Sequence, residues 1–293
     1  MIEQKVSVDI LLPTYNGEKF LSEQIESILN QSFTDFRLLI RDDGSKDRTR
    51  EMIKDFQSKD HRIVVIEDGE GNLGLVRSIE KLLRISDADT VFFADQDDFW
   101  LEEKIDLFLK NYNDPSVPTL IHSNCYVTDE DLNIKGLFLN AVSQREGLKD
   151  SFFHYFVQGA SAMINRKLKE YLLPFPDDIY IHDRYFHIIS EIVGKRTYLE
   201  VPTMYYRQHG GNLIGSQSLF QKIKRNFKLK KFYLREDKKL ISAISKNYTD
   251  NDLLKVYEIL TSDTVSRLKK IKLLTKHHIP LRVKEKLLLL LKN

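Results

Sequence analysis

The chain has 293 residues, of which 42% are hydrophobic and 11% aromatic, enough apolar mass for a sizeable core and too much for a disordered chain. A net charge of +2 gives no overall basic field for nucleic acid, and the single cysteine, Cys125, excludes an internal disulfide framework or a multi-cysteine metal site. No apolar run approaches the roughly 20 residues of a spanning helix, and Met1 to Lys5 lacks a leader's basic-then-apolar order, so a soluble or peripheral protein of a reducing compartment is expected.

Val6, Val8, Ile10 and Leu12 alternate as a strand that Pro13 closes, and Thr14-Tyr15-Asn16-Gly17 reads as a turn. Leu21, Ile25, Ile28 and Leu29 recur at helical spacing, which predicts a helix over 18–31. The unit repeats twice. Strand Phe36 to Ile40 leads through Asp42-Asp43-Gly44-Ser45 to a helix carrying Met52, Ile53 and Phe56; strand Ile63 to Ile66 leads through Asn72-Leu73-Gly74 to a helix over 75–83. Such alternation predicts a mostly parallel sheet with helices on both faces.

Next comes Val91-Phe92-Phe93-Ala94-Asp95-Gln96-Asp97-Asp98-Phe99-Trp100, an apolar strand that breaks into three carboxylates within four residues. In open α/β sheets, ligands collect just beyond strand ends. Asp95 and Asp97 point the same way in extended chain, and paired hard oxygen ligands suit Mg²⁺ or Mn²⁺ on a diphosphate. Taken alone, such a tripeptide is more often an acidic turn capping the helix that follows.

Past Trp100 the spacing predicts a helix to Tyr112, a strand over 119–123, a less patterned stretch over 129–157, a strand over 159–164 and a short helix over 166–172. A loop with Pro174, Pro176, Asp177 and Asp178 leads to His182-Asp183-Arg184-Tyr185 and a helix to Val193. Two closing strands, Thr197 to Val201 and Met204 to Gln208, flank Pro202. Beyond Gly215 the pattern becomes helical and Lys-rich, with Phe220, Ile223, Phe227, Leu234, Ile241 and Ile244 as the apolar positions and a second basic-apolar stretch from Val265 to Leu291. Cys125 reads as a small core residue.

Three loops therefore meet on one sheet edge: Pro13-Thr14-Tyr15-Asn16, Asp42-Asp43-Gly44-Ser45 and Asp95-Gln96-Asp97-Asp98. Their order and chemistry resemble the inverting glycosyltransferases of family 2, over residues 6–215. The wording of Phe93 to Trp100, His182-Asp183 and Tyr206-Arg207-Gln208-His209-Gly210 is most similar to bacterial rhamnosyltransferases of cell-wall and capsular polysaccharide.

The resemblance implies an α/β fold of GT-A type, a Rossmann-like, mostly parallel sheet flanked by helices with a C-terminal helical extension. Residues 1–112 would bind the nucleotide sugar, 113–215 the acceptor, and 216–293 form a basic helical region. It implies donor contacts at Pro13, Tyr15, Asn16, Asp43, Asp95, Gln96 and Arg207, with Asp43 on a pyrimidine N3–H. The metal, Mg²⁺ or Mn²⁺, falls to Asp97, Asp95 and His209. Asp183 becomes the base, with Asp177 and Asp178 its nearest competitors; Trp100, His182 and Arg184 face the acceptor. Gly211 and Arg184 depart from the family's pattern, which bears on acceptor contacts.

The implied partners are dTDP-L-rhamnose or a UDP-sugar and a saccharide or polyprenyl-diphosphate-linked acceptor, with no nucleic acid. The implied place is the cytoplasm, with the basic C-terminal helices lying on the inner face of the plasma membrane, packing on one another or forming a dimer contact. Two other enzyme classes fit less well. A haloacid-dehalogenase-type phosphatase wants Thr or Val where Phe99 stands, and a nucleotidyltransferase wants a glycine-rich loop where Pro13-Thr14-Tyr15-Asn16-Gly17 stands. A purely sugar-binding relative has no use for Asp43, Asp95, Asp97 and Asp183 together.

Overall fold

Strand β1 (Val8–Thr14) is buried at every position, as expected of a parallel strand covered on both faces. The structure, a computed structural model, describes residues 6–139, 147–151, 157–177, 179–210, 239–248, 251–262 and 264–278. The chain divides into two compact units: Met1–Gln144 with Val157–Pro174 and His182–Ser216, and Arg145–Phe156 with Phe175–Ile181 and Gln217–Asn293.

In the first unit, α1 (Leu21–Leu29), β2 (Phe36–Asp42), α2 (Thr49–Lys59), β3 (Ile63–Val65), α3 (Leu75–Ile85) and β4 (Thr90–Phe93) follow β1 in the alternation the spacing predicts. β1 runs one residue past Pro13. Leu11 accepts from Ala94 on the β4 side, so Pro13, two residues on, faces the same side, where β4 has already ended and its missing N–H costs nothing. Asp9 is fully buried within β1, and Arg37 grips its two oxygens at 2.8 Å each.

Beyond β4 come β5 (Phe99–Trp100), α4 (Lys104–Lys110), β6 (Thr119–Thr128), β7 (Ile134–Leu137), β8 (Ala162–Asn165), α6 (Arg166–Leu172), α7 (His182–Val193) and β9 (Lys195–Arg207); the short α5 (Leu148–Ser151) belongs to the second unit. The nine strands form one sheet in the order β3-β2-β1-β4-β8-β6-β9-β5, with β7 on β6. It is parallel from β3 to β4 and mixed beyond, since β8 runs antiparallel to both β4 and β6, while β6 and β9 are parallel. Ile10, Leu38, Ile40, Ile25, Ile28, Phe92, Phe108 and Trp100 share one core. Cys125 lies in it, and burial pushes its thiol up.

Three local readings change. Residues 159–161 form a 3-10 turn, and the strand begins only at Ala162, because Gln158 caps the turn by accepting from the Ser161 N–H. The two expected closing strands are the single β9, whose pairing with β6 jumps from Ser123↔Leu199 to Asn124↔Pro202; Pro202 sits at this irregularity, where it interrupts no regular ladder. The expected unpatterned stretch holds β7, exposed at all four positions, and β5 is too short to show a period.

α7 is held against the sheet through a buried chain in which Arg196 donates to Glu191 at 2.7 Å and contacts His122 at 2.8 Å. In the second unit, residues 239–247 are helical. Helices Asp252–Thr261 and Arg267–Lys276, capped by Asn251 and Ser266, meet through Val256, Leu260, Leu273 and Leu274. Phe220, Ile223, Phe227, Leu234, Asp178, Gly211 and residues 279–291 lie outside the described residues. No helix among the described residues is long and apolar enough to cross a membrane.

α7 turns into β9 at Gly194, where an added Cβ would fall 1.9 Å from the Pro118 carbonyl oxygen, itself bonded to Lys195 N–H. Gly194→Ala is therefore expected to cost about 1–3 kcal/mol by forcing backbone apart. A lower thermal midpoint than wild type in a melting experiment would check it; an unchanged midpoint would count against the close approach.

Candidate functional site

The three loops converge as expected, tied by side chains. Gln96 grips the backbone of Tyr15 from both sides, accepting from its N–H at 2.8 Å and donating to its carbonyl at 3.0 Å. A Cβ at Gly17 would stand 2.5 Å from Gln96 Oε1, so this turn accepts glycine alone without displacing the clamp. Asn16 adopts φ +48°; its N–H donates to Ser45 Oγ and its Oδ1 accepts from Lys46 N–H. Tyr15 remains 46% exposed at this edge, whereas Pro13 is inside β1.

The carboxylates after β2 are occupied by the protein. Asp42 accepts from Ser45 N–H at 2.9 Å, Arg50 at 2.6 Å and Thr14 at 3.2 Å; burial opposes its charge, but these donors hold it below the usual carboxylate range. Asp43 accepts from Arg41 at 2.6 Å, Leu73 N–H at 2.7 Å, Gly74 N–H at 2.8 Å and Ser78 at 3.1 Å, and is 5% exposed. This corrects the simple picture of a carboxylate free to meet a base: Asp43 ties the β2 loop to the start of α3. Arg41, buried and also bonded to Asp68, is the partner that sequence reasoning missed.

At the end of β4, Asp95 lies among like charges. Burial first, then the fields of Asp97 and Asp183, raise it to about 7. Gln158 Nε2 stands 3.5 Å from its Oδ2. Asp97 meets His209 Nε2 at 2.7 Å, bringing together two of the three expected metal-site residues. Asp98 is sealed: Arg207 N–H donates to Oδ1 at 3.1 Å, Oδ2 has no partner among the described residues, and burial pushes it well above the usual range.

Arg207 is a correction. It is 2% exposed, with Nε on the Asp97 carbonyl at 2.9 Å, one terminal nitrogen on Glu23 at 2.6 Å, the other on the Glu130 carbonyl, and its plane over Phe20 at 4.4 Å. A guanidinium bonded through all three nitrogens braces the acid loop and is not free to pair with a phosphate.

Trp100 is a second correction. It is 1% exposed, packed with Phe92 and with Lys104 Nζ 3.7 Å from its ring centre, and belongs to the core, out of an acceptor's reach. His182, on the rings of Phe93 and Phe186, and Arg184 are buried at 4% and 2%. Asp183 opens α7; its Oδ2 accepts from Gly159 N–H at 3.2 Å and its Oδ1 from Arg184 N–H at 2.7 Å. Of its competitors, Asp177 belongs to the second unit and Asp178 lies outside the described residues.

Among the described residues no three His, Cys, Asp or Glu side chains make a metal cage. The chemistry nevertheless fits a divalent ion, because Asp95 and Asp97 concentrate negative charge with His209 alongside, and Mg²⁺-type ions are held by one or two carboxylates plus phosphate oxygens.

Residues 9–173, more than half of the chain, match the family described as Glycosyl transferase family 2, and the chain belongs to that family. The dTDP-rhamnosyl transferase RfbG of Shigella flexneri is 29% identical over 265 residues, 84% of this chain and 89% of that protein. S. aureus TarS in complex with UDP-GlcNAc matches with a TM-score of 0.62 at 16% identity, over 96% of this chain and 77% of that one. The mannosyltransferase PcManGT of Pyrobaculum calidifontis, in complex with GDP-Man and Mn²⁺, matches with a TM-score of 0.60 at 15% identity, over 98% and 79%. At these identities the two structures establish the fold alone, the mixed α/β architecture of GT-A glycosyltransferases.

The folded state raises Asp95 from 3.8 to about 7, so without metal it holds a proton that the unfolded chain has lost. That group's contribution to stability is present at low pH and disappears as pH rises through about 7. In chelator, Asp95→Asn is expected to melt higher than wild type at about pH 8, with the gap closing toward about pH 5. A gap independent of pH would contradict the assigned burial.

Proposed function

We propose that this family 2 glycosyltransferase is an inverting enzyme that moves L-rhamnose from dTDP-L-rhamnose to a saccharide or polyprenyl-diphosphate-linked acceptor in bacterial surface polysaccharide synthesis. The observation that carries the reading is that Asp183, far along the chain, accepts from Gly159 N–H while the adjacent Gln158 stands beside Asp95, so that its charge acts on Asp95 at the sheet edge. A second carboxylate within electrostatic range of a candidate diphosphate site is what an inverting transfer uses as its base. The likeness to a dTDP-rhamnosyl transferase over most of both chains supports the donor.

In this reading the acceptor hydroxyl attacks the anomeric carbon from the face opposite the nucleotide. The new C–O bond forms as the bond to the diphosphate breaks, and the hydroxyl proton passes to Asp183. Gly159 and Arg184 N–H groups donate to that carboxylate and orient it. Asp97, Asp95 and His209 would hold Mg²⁺ or Mn²⁺, which when bound supplies positive charge to the departing diphosphate. Exposed Tyr15 and the Gln96-clamped turn would flank the nucleotide, and Asp43 would act on it by fixing the loop in which it stands.

A UDP-sugar donor is the second reading, since a UDP-GlcNAc complex shares the fold. The two are separated by nucleoside diphosphate release from dTDP-L-rhamnose, UDP-glucose, UDP-galactose and UDP-N-acetylglucosamine, each with Mn²⁺ or chelator. Turnover of dTDP-L-rhamnose alone, lost in chelator, is expected. Asp183→Asn is expected to bind donor within about threefold of wild type while transfer falls about 10²–10⁴-fold; full turnover would remove Asp183 as the base.

The basic C-terminal region fits an anionic membrane surface, where a polyprenyl-linked acceptor would lie. On helix Arg267–Lys276, Leu268 is 74% and Ile271 44% exposed, with Lys272 on the same outward face and Leu273 and Leu274 turned inward. Flotation with anionic liposomes is expected for wild type and to weaken in Leu268→Glu; wild-type protein left at the bottom of the gradient would overturn the membrane contact.

A further inference from the structure

Lys104 opens α4 and is 1% exposed. Its Nζ donates to the Ala160 carbonyl at 2.5 Å, lies 3.6 Å from Met204 Sδ and stands 3.7 Å from the centre of the Trp100 ring. A buried ammonium costs far more than the methylenes of a leucine or methionine, which would suit the apolar walls here. Burial pushes it down to about 7, with the fields of Asp98, the Cys125 thiol and Asp95 pulling the other way. So costly a group is informative through what it holds.

It holds the turn Gly159–Ser161. Gly159 N–H reaches Asp183, Gln158 Nε2 approaches Asp95, and Ser161 Oγ donates to the Ser123 and Gln158 carbonyls. The turn and the start of α7 are in close contact, since a Cβ on Gly159 would fall 2.7 Å from His182 Nε2 and 3.5 Å from Asp183 Cβ. Where the turn sits therefore decides where Asp183 sits. Lys104 joins it to α4, the helix that follows the acid loop.

We propose that Lys104 is a positioning residue for the transfer step: through the Ala160 carbonyl it seats the turn that presents the Gly159 N–H to Asp183 and Gln158 to Asp95, fixing the base relative to the acid loop. This rests on Asp183 being the base. α4 supplies the lysine because residue 104 stands four positions before Phe108, on the helix face that buries Ile105 and Phe108.

The test is a double-mutant cycle on the full-length enzyme with Lys104→Met, Asp183→Asn and the pair, using whichever of the four nucleotide sugars is turned over with Mn²⁺. Lys104→Met is expected to lower kcat at least tenfold, with donor Kd within threefold, and to cost less than threefold in the Asp183→Asn background. Hydrogen exchange at Gly159–Ser161 and at the start of α7 is expected to quicken, leaving β1 and β2 unchanged.

An equal loss in both backgrounds, or unchanged exchange in the turn, would overturn the proposal, as would full turnover of Lys104→Met while Asp183→Asn is dead. Full turnover of Asp183→Asn would instead remove the base reading beneath it. Should Lys104→Met fail to fold, the cycle runs on Lys104→Arg, whose longer fork keeps the charge but displaces the donor. The same non-additive loss and faster exchange are expected there, and their absence would sink the proposal.

Discussion

Carboxylates gathered at the end of one buried strand repel one another, and much of the first unit manages that repulsion. Asp95, Asp97 and Asp98 follow β4 without a break, and Asp183 adds a fourth charge from α7. The chain supplies His209 against Asp97, Arg207 wrapped around the Asp97 carbonyl and the Asp98 side chain through its own N–H, and Lys104 beneath. Asp95 is still left well above its ordinary range. An electrostatic deficit kept at a strand end is one that a proton, or the positive charge of the proposed metal, relieves.

The motif carboxylates after β2 have a different part. Asp42 and Asp43 look alike in sequence, yet both are spent on loop architecture: one gathers Thr14, Ser45 and Arg50, the other Arg41, Ser78 and the first N–H groups near α3. The result is a rigid rim joined to the β1 turn through Ser45 and Asn16, and to the acid loop through Gln96 and Tyr15. Tyr15 stays exposed on this rim. The carboxylates preorganise it.

Positioning also runs through elements with no chemistry of their own. α7 is pinned by Arg196 and Glu191, its first turn meets Gly159, and the Gly159 turn is bonded to Lys104, so one continuous set of contacts links sheet, Asp183 and acid loop. In this chain the fold provides the edge and these contacts set its dimensions.

The alternation of strand and helix through Phe93, the acid loop at a strand end and the helix beginning at His182 were legible from periodicity and from the family's wording, because local spacing encodes them. The roles of Arg207, Trp100 and Asp43 were not: each is polar or aromatic at a motif position, and only burial and partners reveal that Arg207 braces, Trp100 packs and Asp43 ties loops. Lys104 left one faint trace, a lysine on the apolar face of α4 with Ile105 and Phe108. By itself the sequence determined which residue types stand at which strand ends, since that follows from short-range pattern. The tertiary structure alone decided which of them are exhausted by the protein and which remain for a ligand, because hydrogen-bond partners come from residues up to 184 positions apart and no local pattern records them.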